Sequence, residues 1–236
     1  MGRPGHGGPV LSTPGSSTKG QTTIREPTAA ERTIARRAAE SRATVPDLEL
    51  GVDVDMAACL ELSAAHGWPL TAMLARACAL ALKAVPRANG AYRDGRYELY
   101  SRVNIGIALP TDDAYLIPTV FDADRKQLPE LSAEVEQLTV AALAGGLPPP
   151  AFSGATCTLS HPGELGVAFS AGLINPPQAA ALAAGAIRRV PVVRHGAVVP
   201  GDVMTVTLTC DHRILYGAQA ARFLTEISSR LAEGKL

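Results

Sequence analysis

The chain has 236 residues, of which 47% are hydrophobic and 19% are charged, values typical of one substantial globular domain. Its 22 basic and 22 acidic side chains balance, so its charge gives no reason to expect a nucleic-acid or membrane partner. The sequence has no charge-free apolar run of about 18 residues and no apolar signal core at its N-terminus, which leads us to expect a cytoplasmic protein.

The first elements can be read in chain order. Residues 1–24 are dominated by Gly, Pro, Ser and Thr and predict a disordered tail, followed by one catalytic domain over residues 25–236. Thr28 and Glu31 have the spacing of a capping box, which predicts a helix that runs to about residue 42. Apolar periodicity then predicts a strand over 48–56, helices over 56–66 and 71–84, strands over 103–109 and 115–121, and a helix over 129–143.

The second half of the chain predicts strands over 156–160, 187–193 and 203–210, and a final helix over 218–232. The segment 178–187 is ambiguous, because its alanines favour a helix whereas Gly185 and the β-branched run after it leave a strand possible. Helices and strands are mixed without strict alternation. The pattern therefore predicts an α/β fold, a two-layer sandwich with a mixed β-sheet.

The sequence offers few candidate catalytic or metal-binding residues. His161 and His212 directly follow predicted strands, although a histidine there is more often packed than catalytic. The four cysteines form no CxxC pair and are interpreted as buried free thiols, with a nucleophilic Cys210 beside His212 as a minor alternative. No metal-ligand spacing and no dinucleotide, P-loop or serine-hydrolase signature is present, so no metal is expected. The residues alone give a candidate imidazole at His212 and a candidate hydroxyl at Ser160.

The segment DHRILYG, which runs from Asp211 to Gly217, resembles the DHRxxDG signature of the catalytic domain of 2-oxoacid dehydrogenase acyltransferases. That family shares its fold with chloramphenicol acetyltransferase. Four further segments resemble the family in the same order: IARR with ES over 34–41, VNIGIA over 103–108, IPTVFDAD over 117–124 and LINPPQ over 173–178. The resemblance covers about residues 25–233 and implies the chloramphenicol acetyltransferase-like fold.

The resemblance also implies roles for individual residues. His212 would be the general base that deprotonates the acceptor, and the hydroxyl of Ser160 would stabilise the tetrahedral intermediate. Coenzyme A, as acetyl-CoA, is the implied co-substrate, with no covalent lipoyl group on this chain. The implied coenzyme A-binding residues are Asn175, Pro176 and Pro177, and the implied supporting residues of the signature are Asp211 and Gly217. A homotrimer is implied, with each active site between two subunits.

Two positions depart from the family. Tyr216 stands where the signature has an aspartate, which in relatives holds the active-site loop by pairing with an arginine. Glu31 stands where that arginine is expected, so both halves of the ion pair are replaced. Either a hydrogen bond between Tyr216 and Glu31 takes its place, or Glu31 only completes the capping box with Thr28.

The sequence shows no lipoyl or subunit-binding domain and no apolar tail after its last helix, so we expect a free trimer rather than a cage. The leading expectation is a stand-alone acyl-CoA-dependent O-acyltransferase that acetylates a hydroxyl of a small-molecule acceptor, a natural-product intermediate of tetronate type. One alternative is a minimal acyltransferase core of a 2-oxoacid dehydrogenase complex, which acts on dihydrolipoyl groups. The other is a binding or scaffold homologue that has lost its chemistry, for which Tyr216 and Glu31 are the reasons.

Overall fold

A computed structural model describes residues 20–110 and 115–236, and the backbone of residues 10–12. Most of the tail predicted over residues 1–24 lies outside these ranges, so its disorder stays a prediction. In the described part of that segment, strand β1 (Val10–Ser12) pairs antiparallel with strand β2 (Thr23–Arg25).

The helices of the described residues begin and end close to the predicted positions. Their bounds are α1 (Ala29–Thr44), α2 (Ala57–His66), α3 (Leu70–Ala84), α4 (Leu128–Leu143) and α5 (Gly217–Glu233). The capping box is confirmed at the start of α1, because the Thr28 hydroxyl accepts from the Glu31 amide at 3.2 Å and the Glu31 carboxylate accepts from the Thr28 amide at 2.6 Å. No helix within the described ranges is long and apolar enough to cross a membrane.

Ten strands follow β2 in the described residues. Their bounds are β3 (Asp47–Asp55), β4 (Gly90–Arg93), β5 (Arg96–Leu99), β6 (Ile105–Pro110), β7 (Tyr115–Leu116), β8 (Thr119–Val120), β9 (Cys157–Ser160), β10 (Ala180–Ala184), β11 (Arg188–Arg194) and β12 (Ala197–Asp211). The ambiguous alanine-rich segment is a strand, because β10 lies between β9 and β12 and is buried along its whole length. The single strand predicted over 115–121 is divided at Pro118, which has no amide hydrogen for the ladder.

The main sheet has the order β11-β12-β10-β9-β6-β7, with β3 paired to β12 and β8 paired to β6. The pairs β6–β9 and β9–β10 are parallel, whereas β12 is antiparallel to β3, β10 and β11. The mixed sheet predicted from the sequence is confirmed. Strands β4 and β5 form a separate hairpin.

One face of the sheet carries the hydrophobic core. The side chains of Leu159, Leu182 and Leu208 are almost fully buried there and belong to the same apolar cluster as residues of α3 and α5. Burial of a leucine side chain contributes about 1.5–3 kcal/mol to folding. The fold is therefore an α/β sandwich of one sheet layer and one helix layer, as predicted.

The other face of the sheet is lined by small and hydroxyl-bearing side chains. Because side chains alternate along strands, Thr158 and Ser160 of β9 point to the same face, and the register places them opposite Ala181 and Ala183 of β10. The segment 161–175 runs over this face. This segment approaches the backbone after β10 so closely that position 185 must be glycine. A Cβ at Gly185 would lie 2.1 Å from the Ala168 carbonyl oxygen.

We expect Gly185→Ala to lower the stability of the protein by about 1–3 kcal/mol, because backbone atoms must move to admit the methyl group. Thermal unfolding would show a fall in Tm of about 2–4 °C per kcal/mol for a domain of this size. Gly146→Ala is the matched control, since its Cβ would lie at an ordinary 3.6 Å from the nearest neighbouring atom. Equal Tm values for the two variants would contradict the close approach of segment 161–175.

Candidate active site

The turn after β12 is held by a buried ion pair. Asp211 is only 2% exposed, and its carboxylate accepts from the Arg213 backbone amide at 2.9 Å and from the Arg213 guanidinium at 2.9 and 2.7 Å. The Asp211 carbonyl accepts from the Leu215 amide at 2.9 Å. These bonds raise the pKa of Arg213, chiefly through its hydrogen bond to Asp211. The predicted supporting residue Asp211 thus shapes the turn that carries His212.

His212 projects from this turn into solvent. Its backbone amide donates to the Pro46 carbonyl at 3.0 Å, which fixes the Cα position, while its side chain is exposed at the edge of the chain. The imidazole lies edge-on to the Tyr216 ring, with centroids 6.0 Å apart. An exposed imidazole on a rigid turn is able to take a proton from a group brought to it.

Ser160 ends β9 and faces a large cavity. Its hydroxyl is half-buried and lies 3.5 Å from the Leu182 carbonyl, which is a long contact and leaves the hydroxyl able to donate elsewhere. The cavity has a volume of about 690 Å³ and mainly apolar walls, with Ala108 and Ala181 beside the serine. The site therefore presents a hydroxyl donor in an apolar recess.

The predicted coenzyme A-binding residues face two different cavities. Asn175 lines the Ser160 cavity, and its side-chain amide donates to the Thr158 hydroxyl at 3.3 Å. Pro176 and Pro177, joined by a cis peptide bond, instead line a cleft of about 310 Å³ beside Arg213. Only Asn175 is brought together with Ser160 in this chain.

Ser160 and His212 lie toward opposite ends of the strands, at the end of β9 and just after β12, with β10 between these two strands. The register places Ser160 opposite Ala183, and Ala183 opposite Thr207 on β12. His212 comes five positions after Thr207, so at about 3.3 Å per residue along β12 and about 4.8 Å per strand spacing, the two side chains are on the order of 15–20 Å apart. One chain alone cannot bring the imidazole and the hydroxyl to the same reacting atom.

The hydrogen bond proposed between Tyr216 and Glu31 is wrong within this chain. The Tyr216 hydroxyl instead bonds to the Tyr97 hydroxyl at 2.6 Å. Glu31 caps α1 and pairs with Arg25 at 2.6 Å, and its bond from the Thr28 amide, followed by that from Arg25, lowers the pKa of Glu31 to about 2. The capping box between Glu31 and Thr28 is confirmed, but Glu31 is not limited to it, because it also pairs with Arg25.

The remaining predicted supporting residue, Gly217, is the first residue of α5. A Cβ added to it would meet no atom within 4 Å, so within this chain no contact requires glycine at this position.

His161 is a packed residue in this structure. Its side chain is 7% exposed, and its Nδ1 lies 3.2 Å from the Glu164 carboxylate and 3.3 Å from the Thr71 hydroxyl. The hydrogen bond from His161 is the main reason that the pKa of Glu164 is lowered. The side chain lines a separate cavity of about 350 Å³. Sequence position alone could not distinguish this histidine from His212.

The four cysteines are buried free thiols, as predicted. Burial raises the pKa of the Cys210 thiol to about 12, which removes it as a nucleophile at neutral pH. Within the described ranges, no group of three or more His, Cys, Asp or Glu side chains is placed to hold a metal ion.

Comparison with known proteins identifies relatives. The family model of the 2-oxoacid dehydrogenases acyltransferase (catalytic domain) matches residues 19–236. The dihydrolipoyllysine-residue acetyltransferase component of the pyruvate dehydrogenase complex of Zymomonas mobilis is 35% identical over 195 residues, which cover 79% of this chain and 44% of the relative. The chain thus spans less than half the length of this curated relative.

Solved structures that resemble this chain include an acetyltransferase of the same kind. Dihydrolipoamide acetyltransferase of Azotobacter vinelandii superposes with a TM-score of 0.89 and 26% identity, over 96% of this chain and 98% of the other. In that enzyme a serine, a histidine and an asparagine have been investigated for their role in the catalytic mechanism. A chloramphenicol acetyltransferase superposes with a TM-score of 0.56 at 16% identity, over 83% of this chain and 94% of the other, which supports the fold alone.

These relatives correct the leading functional expectation. They are acetyltransferases of lipoyl groups, whereas a small-molecule O-acyltransferase of tetronate type was expected from the sequence. That expectation is wrong, and the alternative acyltransferase core of a 2-oxoacid dehydrogenase complex agrees better with the relatives.

The family and the fold are shown by independent comparisons. The family model covers the described domain, and the mixed sheet superposes on an acetyltransferase over nearly its whole length. The chain belongs to the 2-oxoacid dehydrogenase acyltransferase catalytic-domain family.

Proposed function

We propose that this chain transfers an acetyl group between coenzyme A and a dihydrolipoyl group. One observation carries the proposal. Ser160 and His212 are the same number of positions apart as the serine and histidine named in the mechanism of the Azotobacter vinelandii enzyme. The asparagine named there comes four positions after the histidine, where this chain has Tyr216.

The imidazole of His212 acts as general base in this proposal. A thiol such as that of coenzyme A has a pKa of about 8.5 and is mostly protonated at neutral pH. The neutral imidazole takes the thiol proton while sulfur attacks the carbonyl carbon of the acetyl-dihydrolipoyl thioester. When the intermediate collapses, the dihydrolipoyl sulfur leaves and receives that proton. The histidine ends in its starting state, and the reaction runs equally in reverse.

The hydroxyl of Ser160 acts on the intermediate. Attack moves negative charge onto the thioester oxygen, and a hydroxyl donor in an apolar recess stabilises that oxygen more strongly than the neutral carbonyl. The long contact with Leu182 and the apolar wall of the cavity suit this role. Asn175, on the same cavity, is the residue that we assign to coenzyme A.

The separation of Ser160 and His212 leads us to propose that each site is shared by two subunits. A general base must approach within hydrogen-bond distance of the proton that it removes. Since one chain holds the two groups about 15–20 Å apart, the histidine that works with a given Ser160 comes from a second copy. A homotrimer, the arrangement expected from the resemblance, gives three equivalent sites of this kind.

We expect His212→Ala to lower kcat by about 10²–10⁴-fold, because the thiol loses its proton acceptor. Ser160→Ala should lower kcat by about 10²–10³-fold through loss of one hydroxyl donor. The assay is acetyl transfer from acetyl-CoA to dihydrolipoamide, followed by product mass. His195→Asn is the control, since it removes an exposed histidine in the β11–β12 turn and asparagine tolerates its φ of 51°.

Two results would contradict the proposal in different ways. Full activity of His212→Ala would exclude His212 as the base. No acetylated dihydrolipoamide from the wild-type protein, with coenzyme A still bound, would exclude the dihydrolipoyl acceptor.

Complementation tests the shared site. His212→Ala and Ser160→Ala chains, each slowed by at least about 10²-fold alone, should regain about one quarter of wild-type activity when co-expressed, because one quarter of all interfaces then join an intact serine to an intact histidine. Ser160→Ala co-expressed with the doubly substituted chain should show no more activity than Ser160→Ala alone, since no intact serine remains. If the first mixture stays as inactive as its components, the two-subunit site is wrong.

A further inference from the structure

A short hairpin that the sequence analysis does not predict lies against the His212 turn. Strands β4 and β5 pair only with each other among the described strands, and Tyr92 and Tyr97 are cross-strand partners whose ring centroids lie 6.1 Å apart. Both tyrosines reach residues of the segment 211–217. The hairpin is therefore tied to this turn by side chains instead of by a shared sheet.

Tyr97 makes the first of these contacts. Its hydroxyl lies 2.6 Å from the Tyr216 hydroxyl, which is a short hydrogen bond between two phenols. The Arg87 guanidinium lies over both rings, 4.6 Å from the Tyr97 centroid and 5.4 Å from the Tyr216 centroid. Arg87 also donates to the Gln219 side chain of α5 at 3.1 Å. Tyr216 is thus held at its hydroxyl and over its ring.

Tyr92 makes the second contact. The Arg213 guanidinium lies 4.8 Å from the Tyr92 centroid while it also pairs with the buried Asp211 carboxylate. Arg213, the residue directly after His212, is therefore held by Asp211 and by Tyr92. The Gly90–Leu99 hairpin engages the turn once next to His212 and once at Tyr216, whose ring touches the imidazole edge-on.

We propose that Tyr97 and Tyr216 are positioning residues that set the orientation of the His212 ring. The inference rests on the proposed function and names the device that orients its base. The Tyr216 ring packs edge-on against the otherwise exposed His212 imidazole. The hydrogen bond between the Tyr216 and Tyr97 hydroxyls fixes this ring against the hairpin. A misplaced general base loses rate steeply, because proton transfer requires hydrogen-bond distance and alignment.

The position of Tyr216 explains why an aromatic residue is tolerated there. The asparagine named in the mechanism of the Azotobacter vinelandii enzyme comes four positions after the histidine, where this chain has Tyr216. In this chain the partner is supplied by Tyr97, 119 positions away in sequence, and by the cation of Arg87. The departure from the family signature is thus matched by a new set of contacts.

Single hydroxyl deletions test the positioning role in kinetics. Tyr97→Phe and Tyr216→Phe should each lower kcat about 3–10-fold with KM changed less than about 2-fold, the size expected from one hydrogen bond of ordinary strength. The double variant should be no slower than either single variant, because both changes remove the same bond. Tyr100→Phe, which deletes a tyrosine hydroxyl directly after the hairpin, is the matched control and should keep wild-type kcat.

A second readout does not depend on turnover. The Cε1–H proton resonance of His212, assigned by its loss in His212→Ala, should shift in Tyr97→Phe and Tyr216→Phe and stay unchanged in Tyr100→Phe. Unchanged resonance and kcat in both hairpin-bond variants would overturn the positioning role. A shifted resonance in a protein whose wild type transfers no acetyl group would leave the positioning role intact and contradict the proposed function instead.

Discussion

The buried ion pair between Asp211 and Arg213 is the interaction on which the site depends. A carboxylate that is 2% exposed must be paired, since an isolated buried charge costs several kcal/mol. The Arg213 backbone amide reaches the same carboxylate because the chain turns immediately after β12, and His212 lies exposed on that turn. The Arg213 guanidinium lies on Tyr92. The Asp211–Arg213 ion pair thus lies at the end of β12, next to the exposed His212, and its guanidinium also contacts the β4–β5 hairpin.

The register of the sheet adds a second constraint. β10 separates β9 from β12, and the parallel β9–β10 pair places Ser160 at the strand ends opposite to those that carry the His212 turn. The helix layer covers one face of the sheet, so the small side chains around Ser160 remain on the face away from it. The proposed chemistry then requires a second copy, because no loop movement of a few ångströms removes a separation of about 15–20 Å.

Local patterns in the sequence predicted most of the elements and gave His212 and Ser160 as candidates, whereas their catalytic roles were implied by the resemblance to the family. The capping box at Thr28, the alternation of β12 and the strand-end positions of Ser160 and His212 are encoded within a few neighbouring residues. The hairpin could not be predicted, because its two strands have four residues each, β5 is exposed along its length, and the bond between Tyr97 and Tyr216 joins residues 119 positions apart. The alanine-rich strand was ambiguous, because its burial at the sheet centre overrides the helix preference of alanine.

The acceptor was mispredicted for a chemical reason. A histidine base and a hydroxyl donor serve a thiol and an alcohol equally well. The two residues therefore do not indicate which acceptor is used. The two departures at Glu31 and Tyr216 had also favoured loss of function. In the structure each has strong partners, Glu31 with Thr28 and Arg25, Tyr216 with Tyr97 and Arg87. The contacts of Tyr216 hold the turn that bears His212 in a defined conformation, whereas those of Glu31 stabilise the start of α1.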